Sequence, residues 1–338
     1  MLGRYGVCLD KLYFICFMPI VESTYKAPMW YRSGHLSTVI PSTFRKVDHV
    51  SYQRERIDTP DGDFLDLDWL RQESSSLVII THGLEGSSQR PYVRGMAKFF
   101  HKNGWDALAW NCRGCSGEIN RNARLYHHGA TRDLKTVVDH AIATGQYEDI
   151  WLIGFSMGGS LSIKYLGEHG EDVPAQVKGG IAYSIPVKLR SSVDELSKPN
   201  HGFYVRRFLR KLGTKMKQKA EQYPEIVNVE NYDRDVKTFR DFDNRYTAPL
   251  HGFKDAEDFY EKVSAGNFMI NTARPILICN AINDPFLGKE CYPYDICKAH
   301  PLVHLETPKH GGHVGFPLYS HDESYMEKRA LEFIGEHA

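Results

Sequence analysis

The stretch IWLIGFSMGG, residues 150–159, combines a buried strand, a sharp turn and the start of a helix. Ile150–Gly154 is a short apolar run, which is typical of a strand covered on both faces. Gly154–Gly158 matches the pattern G-x-S-x-G, and Met157–His169 then has a helical pattern. A turn of this kind presents the serine hydroxyl at the edge of a sheet. We therefore predict that Ser156 is a nucleophile.

Strand-like and helical segments alternate on both sides of this turn. A hairpin is predicted first, and further buried strands and amphipathic helices follow it. The predicted hairpin strands are Val50–Arg56 and Phe64–Leu70; the other strands are Leu77–Thr81, Ala107–Trp110, Gly180–Tyr183, Pro275–Asn280 and Val303–Glu306; the helices are Arg94–Asn103, Leu134–Ala143 and Ser324–Ile334. This alternation predicts an α/β fold with a mostly parallel central sheet and helices on both faces.

The alternation stops over residues 187–262, which are polar, charged and helical in pattern. An insertion between two core strands is most simply a helical cap over the carboxyl edge of the sheet, where α/β sites form. We predict one α/β domain at 46–338 that contains this cap. An N-terminal extension or arm at 1–45 precedes the domain.

Composition excludes several classes of protein. The 338 residues carry 42 Lys and Arg against 42 Asp and Glu, so the overall basic excess of a nucleic-acid binder is absent. The seven cysteines are few and odd in number, which favours reduced thiols and a cytoplasmic location. Cys112 and Cys115 form a CxxC, a pattern seen in redox and metal sites. No second pair at ligand spacing accompanies it, so neither role is favoured.

The apolar run Leu12–Val21 is much shorter than the ~20 residues that a membrane span requires. We interpret it as a docking segment or as an extension before a start at Met18. A signal peptide and a membrane-surface anchor are the alternatives, although Glu22, Ser23 and Thr24 offer no small-x-small cleavage site.

A serine nucleophile needs a base to take its proton and a carboxylate to orient that base. After a nucleophile elbow these partners follow in the order acid, then histidine. Asp284 follows the strand PILICN, and His313 follows the last strand in the loop before the closing helix. Asp295 is the alternative acid and His310 the alternative base. We favour His313 because two glycines give it a flexible approach.

An oxyanion loop is predicted directly after the strand LVIIT. Thr81–Gly86 reads THGLEG, and the expected donors to the oxyanion are the backbone amides of Leu84 and Met157. His82 lies in the same loop. We expect it to support the loop rather than to act as a second catalytic group.

Several longer motifs together resemble the YheT-like group of α/β-hydrolases. They are HGLEGSS (82–88), NCRGCSGEIN (111–120), LYHHGATRDL (125–134), GFSMGG (154–159), TAPLHGF (247–253), NDPF (283–286) and HGGHVGF (310–316), with a similar arm at 28–45. The resemblance begins at about Tyr25 and implies the α/β-hydrolase fold. It also implies a serine carboxylic ester hydrolase with the triad Ser156, Asp284 and His313, without a metal or an organic cofactor. Cys115 would then belong to a structural turn.

Two further patterns bear on the substrate. Residues 204–219 form an amphipathic helix with seven cations and no acid. Such a helix can contact an anionic membrane, or it can cover the site while its basic face remains solvated. His128 and Asp133 fit the loose H-x4-D pattern of some acyltransferases.

The sequence therefore predicts hydrolysis of short- to medium-chain, acylglycerol or phospholipid-type esters through an acyl-enzyme. An acyltransferase on the same triad and a non-catalytic ligand-binding protein of this fold are the alternatives. The expected partner is a small-molecule or lipid ester, not nucleic acid.

Overall fold

A computed structural model describes residues 19–319 and 322–337. In these residues nine strands form one sheet. They are β1 (Ile20–Val21), β2 (Gln53–Asp58), β3 (Phe64–Leu70), β4 (Ser76–Thr81), β5 (Asp106–Asn111), β6 (Asp149–Phe155), β7 (Val177–Tyr183), β8 (Ile276–Cys279) and β9 (Val303–Glu306). Their order across the sheet is β1-β9-β8-β7-β6-β4-β5-β3-β2.

Twelve α-helices of four or more residues accompany the sheet in the described part of the chain. They are α1 (Gly34–Phe44), α2 (Pro91–Lys102), α3 (Thr131–Ala143), α4 (Met157–His169), α5 (Leu189–Leu196), α6 (Gly202–Gln222), α7 (Tyr232–Asp235), α8 (Phe239–Phe242), α9 (Ala248–His251), α10 (Ala256–Val263), α11 (Tyr294–Ala299) and α12 (Tyr325–His337). A π-helical turn at Asp243–Thr247 joins α8 to α9.

The pairing from β1 across to β5 is parallel, and β3 and β2 continue the sheet as an antiparallel hairpin. Side chains of β6 alternate between two cores: Ile150 and Leu152 face one, and Trp151 and Ile153 face the other. Each large apolar side chain buried in this way contributes about 1.5–3 kcal/mol. Both faces must therefore be covered, which explains why these strands are apolar throughout.

Helices cover both faces of the sheet. α2 and α12 pack on one core, whereas α3, α4 and the helices α5 to α10 pack on the other. The predicted fold class, a mostly parallel sheet between two helical layers, is confirmed.

No strand interrupts residues 184–275, which connect β7 to β8 and are all described. Helices α5 to α10 occupy this segment, so the predicted helical cap insertion is present. Its bounds at 187–262 and the division at residue 45 stay predictions.

The long helix α6 differs from the expectation of one solvated basic face. Val205, Leu209 and Met216 are buried, as its apolar pattern predicts. Lys219 is fully buried as well, and its ammonium donates hydrogen bonds to the carbonyls of Asn120 and Asn122. The interpretation of a wholly solvated basic face is therefore wrong for this residue, because the methylene stem of lysine can cross an apolar layer.

The N-terminal arm is part of the structure around the sheet's carboxyl edge. β1 adds in parallel to β9, and α1 packs against the loop that carries His313. Residues 12–18 of the apolar run lie outside the described residues.

Candidate active site

Ser156 lies in a sharp turn between β6 and α4. Its backbone has φ +54° and ψ −118°, a left-handed conformation that non-glycine residues rarely adopt. A backbone hydrogen bond stabilises this conformation: the Ser156 amide donates to Tyr183 O at 2.8 Å. A methyl group at Gly158 would lie 2.2 Å from Thr81 O, so this position of the motif must be glycine.

Three side chains form a continuous line of hydrogen bonds. His313 Nε2 lies 2.9 Å from Ser156 Oγ, and His313 Nδ1 lies 2.9 and 3.1 Å from the two carboxylate oxygens of Asp284. The Asp284 side chain is fully buried and that of His313 is 10% exposed. The structure thus brings together the three residues favoured from the sequence, which come from three separate loops.

Neighbouring groups hold the histidine and the carboxylate in place. The Phe286 amide donates to Asp284 Oδ1 at 2.8 Å, and the Phe286 ring stacks on the His313 imidazole with centroids 4.1 Å apart. The His313 amide donates to Thr38 Oγ1 of α1 at 2.8 Å. These supports were missed in the sequence. Phe286 lies inside the NDPF motif and Thr38 inside the arm motif, but no pattern indicated a role for either.

The alternative acid and base lie in other surroundings. Asp295 is exposed in the first turn of α11. His310 Nδ1 is hydrogen-bonded to Arg32 O at 3.0 Å. Within the described part of the chain neither side chain is hydrogen-bonded to Ser156, so the geometry favours Asp284 and His313.

The loop after β4 lies against Ser156. A methyl group at Gly83 would be 3.3 Å from Ser156 Cβ. The Gly83 amide donates to Tyr92 Oη at 3.1 Å, and the Glu85 amide donates to Tyr126 Oη at 2.8 Å. These two bonds hold the loop on either side of Leu84.

The amides of Leu84 and Met157 are the donors that the sequence predicts for an oxyanion. Within residues 19–319 and 322–337, neither amide donates a hydrogen bond to a protein acceptor. Nearly all buried backbone amides are paired. Two unpaired amides flanking a serine are therefore suited to stabilise negative charge on a substrate oxygen.

His82 is a support of this loop. It is fully buried; Nε2 accepts a hydrogen bond from the Cys112 amide at 3.1 Å, so Nδ1 carries the proton and donates to Gly83 O at 2.7 Å. Burial lowers the pKa of His82 to about 4, which keeps the imidazole neutral. Both ring nitrogens are thus engaged in holding the loop.

A buried ion pair ties the cap to the same loop. Lys215 of α6 lies 2.8 Å from Glu85 Oε1, and Tyr126 Oη donates to the same oxygen at 2.6 Å. Lys215 also approaches Cys115 Sγ at 3.1 Å. Cys112 and Cys115 are free thiols, and burial raises the pKa of both. No group of metal-ligating side chains occurs in the described residues.

The acyltransferase-like pattern is not assembled as a catalytic pair. Asp133 is held by the Arg113 guanidinium at 2.7 and 2.8 Å. His128 lines a cleft beside Ser156, and burial lowers its pKa to about 4.

Comparison with known proteins decides the family. The family model described as "Serine aminopeptidase, S33" matches residues 72–265. YheT of Escherichia coli strain K12 is 31% identical over 311 residues, covering 90% of this chain and 91% of YheT. The chain belongs to the YheT-like α/β-hydrolases. Human phospholipase ABHD3 is 26% identical over 94% of this chain and 80% of its own.

Solved structures agree on the fold of this hydrolase. The Pyrococcus furiosus esterase Pf2001 superposes with a TM-score of 0.57 at 20% identity, covering 87% of this chain and 98% of that structure. The family assignment and the fold identify the chain as an esterase- or lipase-type hydrolase. No helix in the described residues is long and apolar enough to span a membrane.

Two clefts of this hydrolase meet at Ser156 and His313. One has a cavity volume of about 80 Å³ and is predominantly apolar. Its apolar lining comes mainly from the cap: Leu189, Val193, Leu196, Phe208, Leu212, Phe239, Phe242 and Phe259. The other has a cavity volume of about 110 Å³ and lies between α1, the loop after β4 and α6. Its lining is also mostly apolar, but it includes three cations.

Proposed function

We propose that this hydrolase cleaves carboxylic esters by two-step acyl transfer, with Ser156 as nucleophile, His313 as base and Asp284 as its orienting carboxylate. The observation that carries the proposal is the unbroken line of hydrogen bonds from Ser156 Oγ through both nitrogens of His313 to Asp284. A serine hydroxyl is a weak nucleophile, and this arrangement supplies both its base and the orienter of that base.

In the first step Ser156 Oγ attacks the ester carbonyl carbon while His313 Nε2 takes the hydroxyl proton. The Leu84 and Met157 amides stabilise the oxyanion of the tetrahedral intermediate. When the carbonyl re-forms, the bond to the alcohol oxygen breaks, and His313 returns the proton to that oxygen. Asp284 stabilises the imidazolium in between.

In the second step water attacks the acyl-enzyme as His313 takes one of its protons. The second tetrahedral intermediate is stabilised by the same two amides. It collapses with cleavage of the bond to Ser156 Oγ, which recovers its proton from His313. The products are an alcohol and a carboxylic acid, and no cofactor enters either step.

The apolar cleft supports a fatty acyl group as the acid half of the ester. Its lining gives an acyl chain a surface to bury, and each methylene contributes about 0.8 kcal/mol. Among the relatives, phospholipase ABHD3 and the yeast monoacylglycerol lipase are named for lipid esters. We therefore propose short- to medium-chain esters, acylglycerols or phospholipid-type esters as substrates.

The test is hydrolysis of p-nitrophenyl esters from acetate to palmitate by wild type and by Ser156→Ala. We expect Ser156-dependent hydrolysis, with kcat falling about 10⁴-fold or more in the variant. His310→Gln is the matched control and should retain wild-type rates. Equal rates for wild type and Ser156→Ala, with no labelling of wild type by a fluorophosphonate, would instead favour the non-catalytic binding protein.

Hydrolysis and acyl transfer are separated by product analysis. An excess of glycerol is added to the same assay, and acid and acylglycerol are both quantified. We expect free acid as the main product. Acylglycerol as the main product would favour the acyltransferase.

Peripheral membrane contact through residues 204–219 also stays a proposal. Arg206 and Arg210 are exposed on α6, which supports it. Cosedimentation with anionic vesicles tests it; binding that is insensitive to salt or to Arg206→Gln with Arg210→Gln would refute the electrostatic contact.

A further inference from the structure

The cleft between α1, the oxyanion loop and α6 has an unusual charge distribution. Arg90, Arg207 and Lys211 line it together with Ser156 and His313. Thus three cationic side chains border the space next to the nucleophile. A cleft that accepted only neutral esters would have no need for this charge.

None of the three cations is paired with a carboxylate in the described part of the chain. Arg90 Nη2 and Lys211 Nζ approach the backbone carbonyl of Glu85, at 3.4 and 3.2 Å. Arg207 has no ion pair among these residues. Elsewhere on α6, by contrast, Lys215 and Lys217 do approach carboxylates.

Glu85 contributes its backbone carbonyl to the cluster, while its carboxylate is paired elsewhere. The carboxylate of Glu85 is occupied by Lys215 and by the Tyr126 hydroxyl. Glu85 has a left-handed backbone with φ +54°, and its carbonyl is the group within hydrogen-bond distance of Arg90 and Lys211. A carbonyl dipole offsets only part of two positive charges.

The cations also act on one another. Lys211 is half-buried, and burial followed by the positive charge of Arg90 lowers its pKa. The Glu85 carboxylate opposes this in part, whereas Arg207 and Lys215 lower the pKa of Lys211 further. Like charges held together beside a reactive site cost free energy in the empty protein. A bound anion would offset that cost, because charge-assisted hydrogen bonds to guanidinium and ammonium groups are among the strongest that proteins make.

We propose that Arg90, Arg207 and Lys211 form a subsite for a phosphomonoester on the alcohol half of the ester, so that the preferred substrates are fatty-acyl esters of a phosphorylated alcohol. The inference rests on the proposed function: the acyl chain occupies the apolar cleft and the alcohol half occupies the cationic one. Arginine forks match phosphate oxygens in geometry, and a lysine adds a point charge.

The cluster favours a phosphomonoester over two other headgroups. A neutral glycerol headgroup would leave all three charges uncompensated. A phosphocholine headgroup brings its own cation toward a site that already carries like charges. A phosphomonoester supplies up to two negative charges and three acceptor oxygens.

The experiment compares three water-soluble esters with the same octanoyl chain: octanoylglycerol, octanoylglycerol phosphate and octanoylglycerophosphocholine. We expect wild type to cleave the phosphomonoester with a kcat/KM at least about tenfold above that of the other two. Arg207→Gln and Lys211→Gln should each lower this value about tenfold, the scale of one lost charge-assisted hydrogen bond, mainly through KM. Both variants should lose clearly less activity on octanoylglycerol than on the phosphomonoester, so that the ratio of the two kcat/KM values falls.

Arg206→Gln and Arg210→Gln are the matched controls, since both residues are exposed on the same helix and neither lines the cleft. Equal losses in the control and cleft variants, or no preference of wild type for the phosphomonoester, would overturn the subsite. If inorganic phosphate inhibits octanoylglycerol cleavage through Lys211 but the three esters are cleaved alike, the site binds free phosphate and the headgroup role is refuted. Failure of the proposed function differs from these outcomes, because wild type and Ser156→Ala would then act on octanoylglycerol at the same rate.

Discussion

Asp243 makes the stability of this hydrolase depend on pH. The residue begins the π-helical turn after α8, is 9% exposed and lines the apolar cleft. Its oxygens accept hydrogen bonds from Thr247 Oγ1 at 2.6 Å and Tyr260 Oη at 2.7 Å. No cation pairs with it in the described residues, and the nearby Arg240 pairs with Glu257 and Asp194 instead. Burial therefore outweighs these two hydrogen bonds and raises the pKa of Asp243 to about 6.

The sign and size of the effect follow from linkage. An aspartate with a folded-state pKa above its ordinary value of 3.8 binds its proton more tightly in the folded protein. Its contribution to stability is fully present below pH 3.8 and is lost as the pH rises through 6. A shift of roughly two units corresponds to about 3 kcal/mol of free energy of unfolding.

Asp243→Asn removes this titration and keeps the shape of the side chain. The amide oxygen can accept from Thr247, and the amide nitrogen can donate to the oxygen of Tyr260. We expect the variant to gain about 3 kcal/mol relative to wild type between about pH 4 and pH 8, measured by urea unfolding at each pH. Other titrating groups are common to both proteins and cancel in the difference.

Glu261→Gln serves as the control, because this glutamate is exposed on α10. Its stability difference from wild type should stay constant over the same range. A constant difference for Asp243→Asn would refute the reasoning, since it would mean that burial does not hold the proton on this carboxyl group.

Three further predictions concern the elbow, the oxyanion loop and the acyl cleft. Gly158→Ala should abolish esterase activity or prevent folding, because the new methyl group would lie 2.2 Å from Thr81 O. Measurements of kcat and of circular dichroism distinguish these two outcomes, and a wild-type kcat would contradict the prediction. Tyr126→Phe should destabilise the protein by about 1–3 kcal/mol in thermal unfolding and lower kcat, because the buried Glu85 amide loses its acceptor; unchanged stability and kcat would argue against this role. Val193→Phe should move the p-nitrophenyl ester optimum to shorter acyl chains by filling the cleft while leaving acetate hydrolysis within about threefold of wild type; an unchanged optimum would place the acyl chain elsewhere.

The central strands of the sheet could be predicted from sequence because they are buried on both faces. Runs such as Leu77–Thr81 and Ile150–Gly154 are apolar throughout, and glycines or turn residues delimit them. The turn at Ser156 could also be predicted, because local backbone contacts require its glycines. Features that depend on neighbouring residues in the chain were therefore the ones that the sequence specified well.

The arm and the cap were harder to interpret because their roles depend on tertiary contacts. Helix α1 contains Pro41, so its pattern is poor for a helix. The Thr38 hydroxyl of this helix nonetheless accepts a hydrogen bond from the His313 amide. On α6 the pattern could not tell which lysines point inward, because a long methylene stem allows either direction. Lys215 and Lys219 turn toward protein partners, whereas Arg206 and Arg210 remain exposed.

Helix α6 joins the two halves of the proposed substrate site. Phe208 and Leu212 line the apolar cleft, and Arg207 and Lys211, each one position earlier, line the cationic one. Lys215 on the following turn is paired with Glu85, and removing one partner of a buried ion pair typically costs about 3–5 kcal/mol. The same pair therefore holds the helix that contacts both parts of the ester against the loop that supplies the Leu84 amide. A displacement of α6 would alter chain-length selection, headgroup selection and oxyanion stabilisation together, so the three properties are expected to change jointly in variants that weaken the Lys215–Glu85 contact.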